Sequence, residues 1–171
     1  MPEHGEEFLQ ATMPAADLVH NLARRLTTSR SDAEDLVQET YTRAWVAWQD
    51  QRRPARVEPW LATICLNLNR DRLGRASTRY EARWDEAFDP PGTVDVEAEV
   101  LGRLDHAVVD AALRGLPEEQ RIAITLMDLC GFTAAEVAGI TGAPRGTVLA
   151  RVHRGRKRLA ESVRKVNRHA P

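Results

Sequence analysis

The 171-residue sequence predicts an all-α protein of two small helical domains joined by an acidic flexible linker, with a helix-turn-helix in the C-terminal domain. Three observations predict it. The composition is 43% hydrophobic, 29% charged and only 5% aromatic, dominated by Ala, Leu, Arg and Glu, which favour helix, while runs of β-branched and aromatic residues are scarce. The stretch 75–100 is acidic and contains Asp89-Pro90-Pro91-Gly92, which cannot continue a helix. Near the C-terminus a short capped helix, a turn with glycine and a longer basic helix follow one another, the helix-turn-helix pattern. The expected boundaries are a disordered tail over 1–14, a first domain over 15–76, the linker over 77–100 and a second domain over 101–171.

Helical periodicity starts near residue 15 and runs to about residue 27. Ser31-x-x-Glu34 reads as a capping box opening a helix over 32–49. In that helix Val37, Tyr41, Ala44 and Trp48 repeat at i, i+4, i+7, i+11 and form an inner stripe. Asp35, Glu39, Thr42 and Val46 face outward, with Gln38 and Arg43 on the flanks. This acidic, partly apolar stripe suits a basic helical partner, and equally a plain solvated face. A polar loop over 50–56 leads to a helix that begins near Pro59, a residue suited to a first turn. Leu61, Ile64, Cys65 and Leu68 form its buried face, with Trp60-Leu61 packing the core. Thr63, Asn67 and Arg70 point outward, where Asn can read base edges and Arg can bind phosphate, and Arg72, Arg75 and Arg79 extend the basic character.

The C-terminal half predicts helices over 98–114, 118–129, 133–140 and 144–166. Thr133-Ala134-Ala135-Glu136 is a capping box; Val137, Ala138 and Ile140 are apolar anchors, Thr141-Gly142-Ala143 is a tight turn and Pro144 opens the last helix. At about 100° per residue, Val148, Val152, Gly155 and Leu159 fall on one side of that helix. Gly146, Thr147, Ala150, His153, Arg154 and Lys157 fall on the other, with Arg145, Arg151, Arg156 and Arg158 between. Small and hydroxylated residues at the start permit close approach to base edges, and the arginines beyond suit phosphate contacts. A solvated basic helix is the plainer reading; the capped helix and turn before it favour DNA binding.

The net charge of −1 argues against a nucleic-acid binder, but the distribution reverses that reading. Residues 145–168 hold nine basic side chains against Glu161 alone, and residues 76–105 hold eight acids against three arginines. Cys65 and Cys130 are far apart, form no CxxC pair and read as small buried hydrophobes. The five histidines are scattered, and there is no Gly-rich phosphate loop or nucleophile elbow. No catalytic residue, metal or cofactor is expected. No apolar stretch reaches the roughly 18 residues of a membrane span, and the start MPEHGEEF has no signal core; the expected location is cytoplasmic. Two other readings are a stand-alone helix-turn-helix regulator, which needs a receiving N-terminal domain with strands, and a nucleic-acid enzyme, which needs a carboxylate or His cluster beyond Asp35 and Glu39.

Together the two halves resemble an extracytoplasmic-function (ECF) sigma factor of bacterial RNA polymerase. DAEDLVQETYTRAW at 32–45 resembles that family's polymerase-docking helix, and PWLATICLNLNRDR at 59–72 its promoter −10 segment. Residues 116–159, beginning LPEEQR and ending HRGRKRL, resemble its −35-reading region. The resemblance covers nearly the whole chain apart from tails and linker. It implies that Asp35, Gln38, Glu39 and Thr42 meet the coiled coil of the largest polymerase subunit. It further implies that Asn67 holds a −10 base turned out of the stack, in a pocket supplied by the loop over 51–57. Gln51, Arg53, Arg56 and Arg70 are the accompanying −10 candidates. The −35 candidates are Arg145, Thr147, Ala150, Arg151, His153, Arg154 and Lys157. Core RNA polymerase (with the flap of its second-largest subunit), promoter DNA and an anti-sigma factor are the implied partners, and the acidic linker is implied to thread toward the RNA exit path. Relatives often carry an aromatic near Gln51 and Lys-Ser at Leu149-Ala150. These departures bear on the promoter sequence and leave the function as it is.

Overall fold

The computed structural model describes residues 2–50, 53–76 and 106–168, and every regular element among them is helical. The chain divides into two compact units, Met1–Trp84 and Asp85–Pro171. The expected linker over 77–100 lies outside the described residues.

The first unit consists of α1 (Pro2–Thr12), a single 3-10 turn (Met13–Ala15), α2 (Ala16–Leu26), α3 (Arg30–Gln49) and α4 (Val57–Ala76). The expected disordered tail over 1–14 is corrected here, because residues 2–12 are helical and anchored. Phe8 is 6% exposed. Its ring meets Tyr41, Trp45 and Trp48 edge-on, with centroids 6.5, 5.2 and 5.6 Å away, a geometry aromatic quadrupoles favour. The buried Thr12 hydroxyl donates to the Phe8 carbonyl at 2.8 Å, and the Tyr41 hydroxyl to the Thr12 carbonyl at 3.4 Å. Burial raises the Tyr41 pKa above its ordinary value.

The cap of α3 also differs from expectation. Ser29, not Ser31, is the N-cap: its hydroxyl oxygen accepts from the Asp32 N–H at 3.0 Å, and the helix starts at Arg30. The box pattern looks for Glu or Gln three residues on, and the shorter Asp32 carboxylate answers Ser29 instead, at 2.6 Å. Ala44 and Trp48 are buried and Val37 and Tyr41 half-buried, as the inner stripe predicts. Ala33, Leu36 and Thr40 are buried as well, because α2 and α4 both pack on α3. The outer stripe is therefore the face of α3 left over after two packing partners.

The second unit consists of α5 (His106–Arg114), α6 (Glu118–Ile124) running into a π turn (Thr125–Leu129), α7 (Ala134–Thr141) and α8 (Arg145–Arg168). The π turn closes with the Cys130 N–H on the Thr125 carbonyl at 2.9 Å. The Thr133 capping box forms as predicted: the Glu136 N–H donates to Thr133 Oγ1 at 3.2 Å and the Thr133 N–H to Glu136 Oε2 at 2.8 Å. Gly142 then ends α7 at φ +75°, donating to the Ala138 carbonyl at 2.9 Å. A residue with a Cβ rarely adopts that conformation. Pro144 sits just before α8, where its carbonyl accepts from the Val148 N–H at 3.0 Å. Val148, Val152, Gly155 and Leu159 are buried, as the periodicity requires. Gly155 has a packing reason, since a Cβ there would run into the Ile124 side chain of α6.

Candidate nucleic-acid and docking surfaces

On α3 the structure leaves Asp35, Gln38 and Thr42 exposed, with Val46 52% exposed further along. The Thr42 hydroxyl folds back onto the Gln38 carbonyl at 2.9 Å. Glu39 belongs to the same stripe but is already engaged. Arg72 of α4 reaches across, donating Nε and Nη2 to Glu39 Oε2 at 3.2 and 2.9 Å and Nη1 to the Asp32 carbonyl at 3.3 Å. The outer stripe of α3 is thus pinned by a cation from the neighbouring helix. Sequence reasoning counted Arg72 only as added basic character, because nothing local links it to a residue 33 positions earlier.

Beside this stripe lies a cleft of about 400 Å³ between α3 and α4, within the size range of small-molecule sites. Trp60 and Ile64 give it apolar walls, and Arg43, Asp50, Asn67 and Asp71 give it a polar rim. Asn67 is exposed there, as predicted, and Arg70 is half-buried on the same helix. Arg56 is exposed just before α4, and Gln51 lies outside the described residues. Arg53, another of the −10 candidates, is engaged within the unit. Its guanidinium lies 4.0 Å from the Trp48 ring centroid, donates to the Trp48 carbonyl at 2.9 Å and pairs with Glu7 of α1 at 2.9 Å. It serves to fasten the loop to α1.

In the second unit Arg145 and Lys157 are exposed, and Thr147, Ala150, His153 and Arg154 are half-buried on the outer side of α8. Arg151, another −35 candidate, is buried. Its side chain is 10% exposed and its Nη1 lies 2.9 Å from Glu119 at the start of α6. A guanidinium held there braces α8 on α6. Arg156 is spent in the same way, on Asp128 of the π turn at 2.9 and 2.6 Å. Neither acid is local in sequence to its arginine, so helical periodicity could not reveal the pairs. Arg151→Ala is expected to destabilise the C-terminal unit by about 1–3 kcal/mol, seen as a lower melting temperature. Alanine at the exposed Arg158 is expected to leave melting unchanged.

Residues 14–79 match Sigma-70 region 2 and residues 106–159 match Sigma-70, region 4. The chain is 35% identical over 143 residues to the ECF RNA polymerase sigma factor SigL of Mycobacterium tuberculosis, covering 81% of this chain and 78% of that protein. The chain belongs to the ECF sigma factors. It is also 36% identical over 167 residues to SigE of Mycolicibacterium smegmatis, covering 91% of this chain but spanning only 64% of that relative's length. Among solved structures it is similar to the sigma factor RpoE of Bartonella quintana in complex with the anti-sigma factor NepR. The TM-score there is 0.69, with 28% identity and coverage of 93% and 98% of the two chains.

Sigma factors are non-catalytic initiation factors that bind core RNA polymerase and promoter DNA. The docking stripe and the cleft fall inside region 2, and α7 with most of α8 inside region 4. The anchored α1 precedes the region 2 match, which begins at residue 14. Among the described residues no helix is long and apolar enough to cross a membrane, and no group of three His, Cys, Asp or Glu could hold a metal ion.

Proposed function

We propose that this sigma factor brings core RNA polymerase to promoters through two surfaces. In region 2, Asp35, Gln38, Glu39 and Thr42 dock on a basic helical element of the largest polymerase subunit. A −10 base, turned out of the stack, enters the cleft beside Asn67, with Arg56 and Arg70 near the strand. Extrusion costs a few kcal/mol, and the Trp60 and Ile64 walls with the polar rim supply compensating contacts. In region 4, α8 enters the −35 major groove with Thr147, Ala150 and His153, while Arg145, Arg154 and Lys157 hold phosphates. Its work on polymerase belongs in the cytoplasm, and an anti-sigma factor is a further partner.

The observation that carries this reading is the outer face of α3, exposed at Asp35, Gln38, Thr42 and Val46 on a helix packed by neighbours on its other sides. A stand-alone regulator has no need of it, and the N-terminal unit shows no strand among its described residues. The test is reconstitution of the full chain with core polymerase and run-off transcription on genomic fragments. Transcripts from a small subset of fragments, absent without the chain, support the proposal. Transcripts no different from those of core polymerase alone overturn it.

A further inference from the structure

We infer that region 4 reads thymine methyl groups in the −35 duplex through Leu149 and Ala150, an inference that rests on the function proposed above. The groove-facing part of α8 is the side away from the buried Val148, Val152, Gly155 and Leu159. Over the first two turns that side offers Gly146 without a side chain, the Thr147 hydroxyl and methyl, and Ala150, with Leu149 exposed on its flank. Leu149 is 37% exposed, the one exposed large hydrophobic side chain among the described residues of α8. On the opposite flank of α8 the Arg151 guanidinium lies 2.9 Å from Glu119. Arginine is the usual bidentate reader of guanine, and over the first two turns Arg145 is the one exposed arginine, since Arg151 is held by Glu119.

Besides Arg145 and the Thr147 hydroxyl, the side chains there are aliphatic, and the major groove presents one aliphatic feature, the thymine 5-methyl group. Gly146 adds to the argument: a Cβ there would meet nothing within 4 Å, so the first turn is open on that side and the backbone can approach the base edges closely. A leucine in contact with a cytosine amino group would desolvate that donor without pairing it, a cost that thymine avoids. Leu149 and Ala150 thus select for thymine by attraction to its methyl and against cytosine by an unpaired donor. Arg145 in the first turn and Arg154 in the third supply the phosphate contacts that fix the register.

The experiment uses holoenzyme made from the full chain and core polymerase, on a promoter found by run-off transcription. Each thymine of the −35 duplex is replaced in turn by deoxyuridine, which removes the methyl and keeps the pairing edge. Initiation is expected to fall roughly fourfold at one or two positions, the worth of one buried methyl. Holoenzyme carrying Leu149→Ala, a change at a solvent-facing side chain, is expected to ignore the same replacements. Full activity with uracil at every −35 position overturns the inference, as does a Leu149→Ala holoenzyme as sensitive as the unaltered one. If initiation depends on the −35 sequence but not on its methyls, only this inference falls. If a scrambled −35 duplex initiates equally well, the −35 role of region 4 falls with it.

Discussion

Phe8→Ala is expected to cost the N-terminal unit roughly 3–5 kcal/mol, far more than a change in a frayed tail could. The ring is enclosed by Tyr41, Trp45 and Trp48 at centroid distances of 6.5 Å or less, and alanine leaves a cavity lined by aromatic edges that cannot collapse around it. Loss on this scale is a large share of a small domain's stability. The effect extends to the loop, since α1 carries Glu7, the partner of Arg53. Releasing α1 therefore removes one of the three Arg53 contacts that hold the chain next to Asn67's cleft, leaving the Trp48 stack and the hydrogen bond to the Trp48 carbonyl. Urea unfolding of the full chain, followed by tryptophan fluorescence, measures the loss. Trp45, Trp48 and Trp60 all report on this unit. A shift under 1 kcal/mol would show that α1 is not part of the folded core.

Asp35→Lys is expected to weaken the chain's competition for core polymerase at least about tenfold, a loss typical of opposing like charges across an interface. Its melting temperature should stay unchanged. Asp35 is exposed on α3, so reversal changes the surface and leaves packing alone. Glu39→Lys is the less informative variant despite its equal charge change. It also breaks the Arg72 bridge and sets two cations side by side, so lost docking and a disturbed α3–α4 contact would be confounded. Salt gives an independent check. Binding by the unaltered chain should weaken as ionic strength rises, and binding by Asp35→Lys should depend on salt less. Equal competition by both proteins would remove Asp35 from the interface.

The parts of the fold that were legible in sequence are those set by local chemistry. Thr133 and Glu136 cap α7 through residues three apart, and Gly142 ends it through its own backbone freedom, so the helix-turn-helix can be read without its surroundings. Likewise the inner stripe of α3 follows from its period. What escaped depends on partners distant in sequence. α1 has one aromatic anchor, and only the position of α3 shows that Phe8 is enclosed. Arg53 and Arg151 look like DNA contacts by charge and place, yet Glu7 and Glu119 claim them. Cleft lining comes from two helices at once: a pocket beside Asn67 was expected from the loop over 51–57, whereas Arg43, Asp50 and Asp71 line the cleft and no described residue of that loop does. Charge counting along a helix overstates the surface available to DNA wherever another element supplies an acid.

The most direct measurement is the affinity of the full chain for duplex carrying its −35 element, taken with and without core RNA polymerase at the same salt. If docking through α3 is what turns DNA binding into promoter recognition, the free chain binds weakly and core polymerase tightens binding by about 10²-fold or more, as linked sites do. Tight, sequence-specific binding by the free chain, unchanged when core polymerase is added, would contradict it.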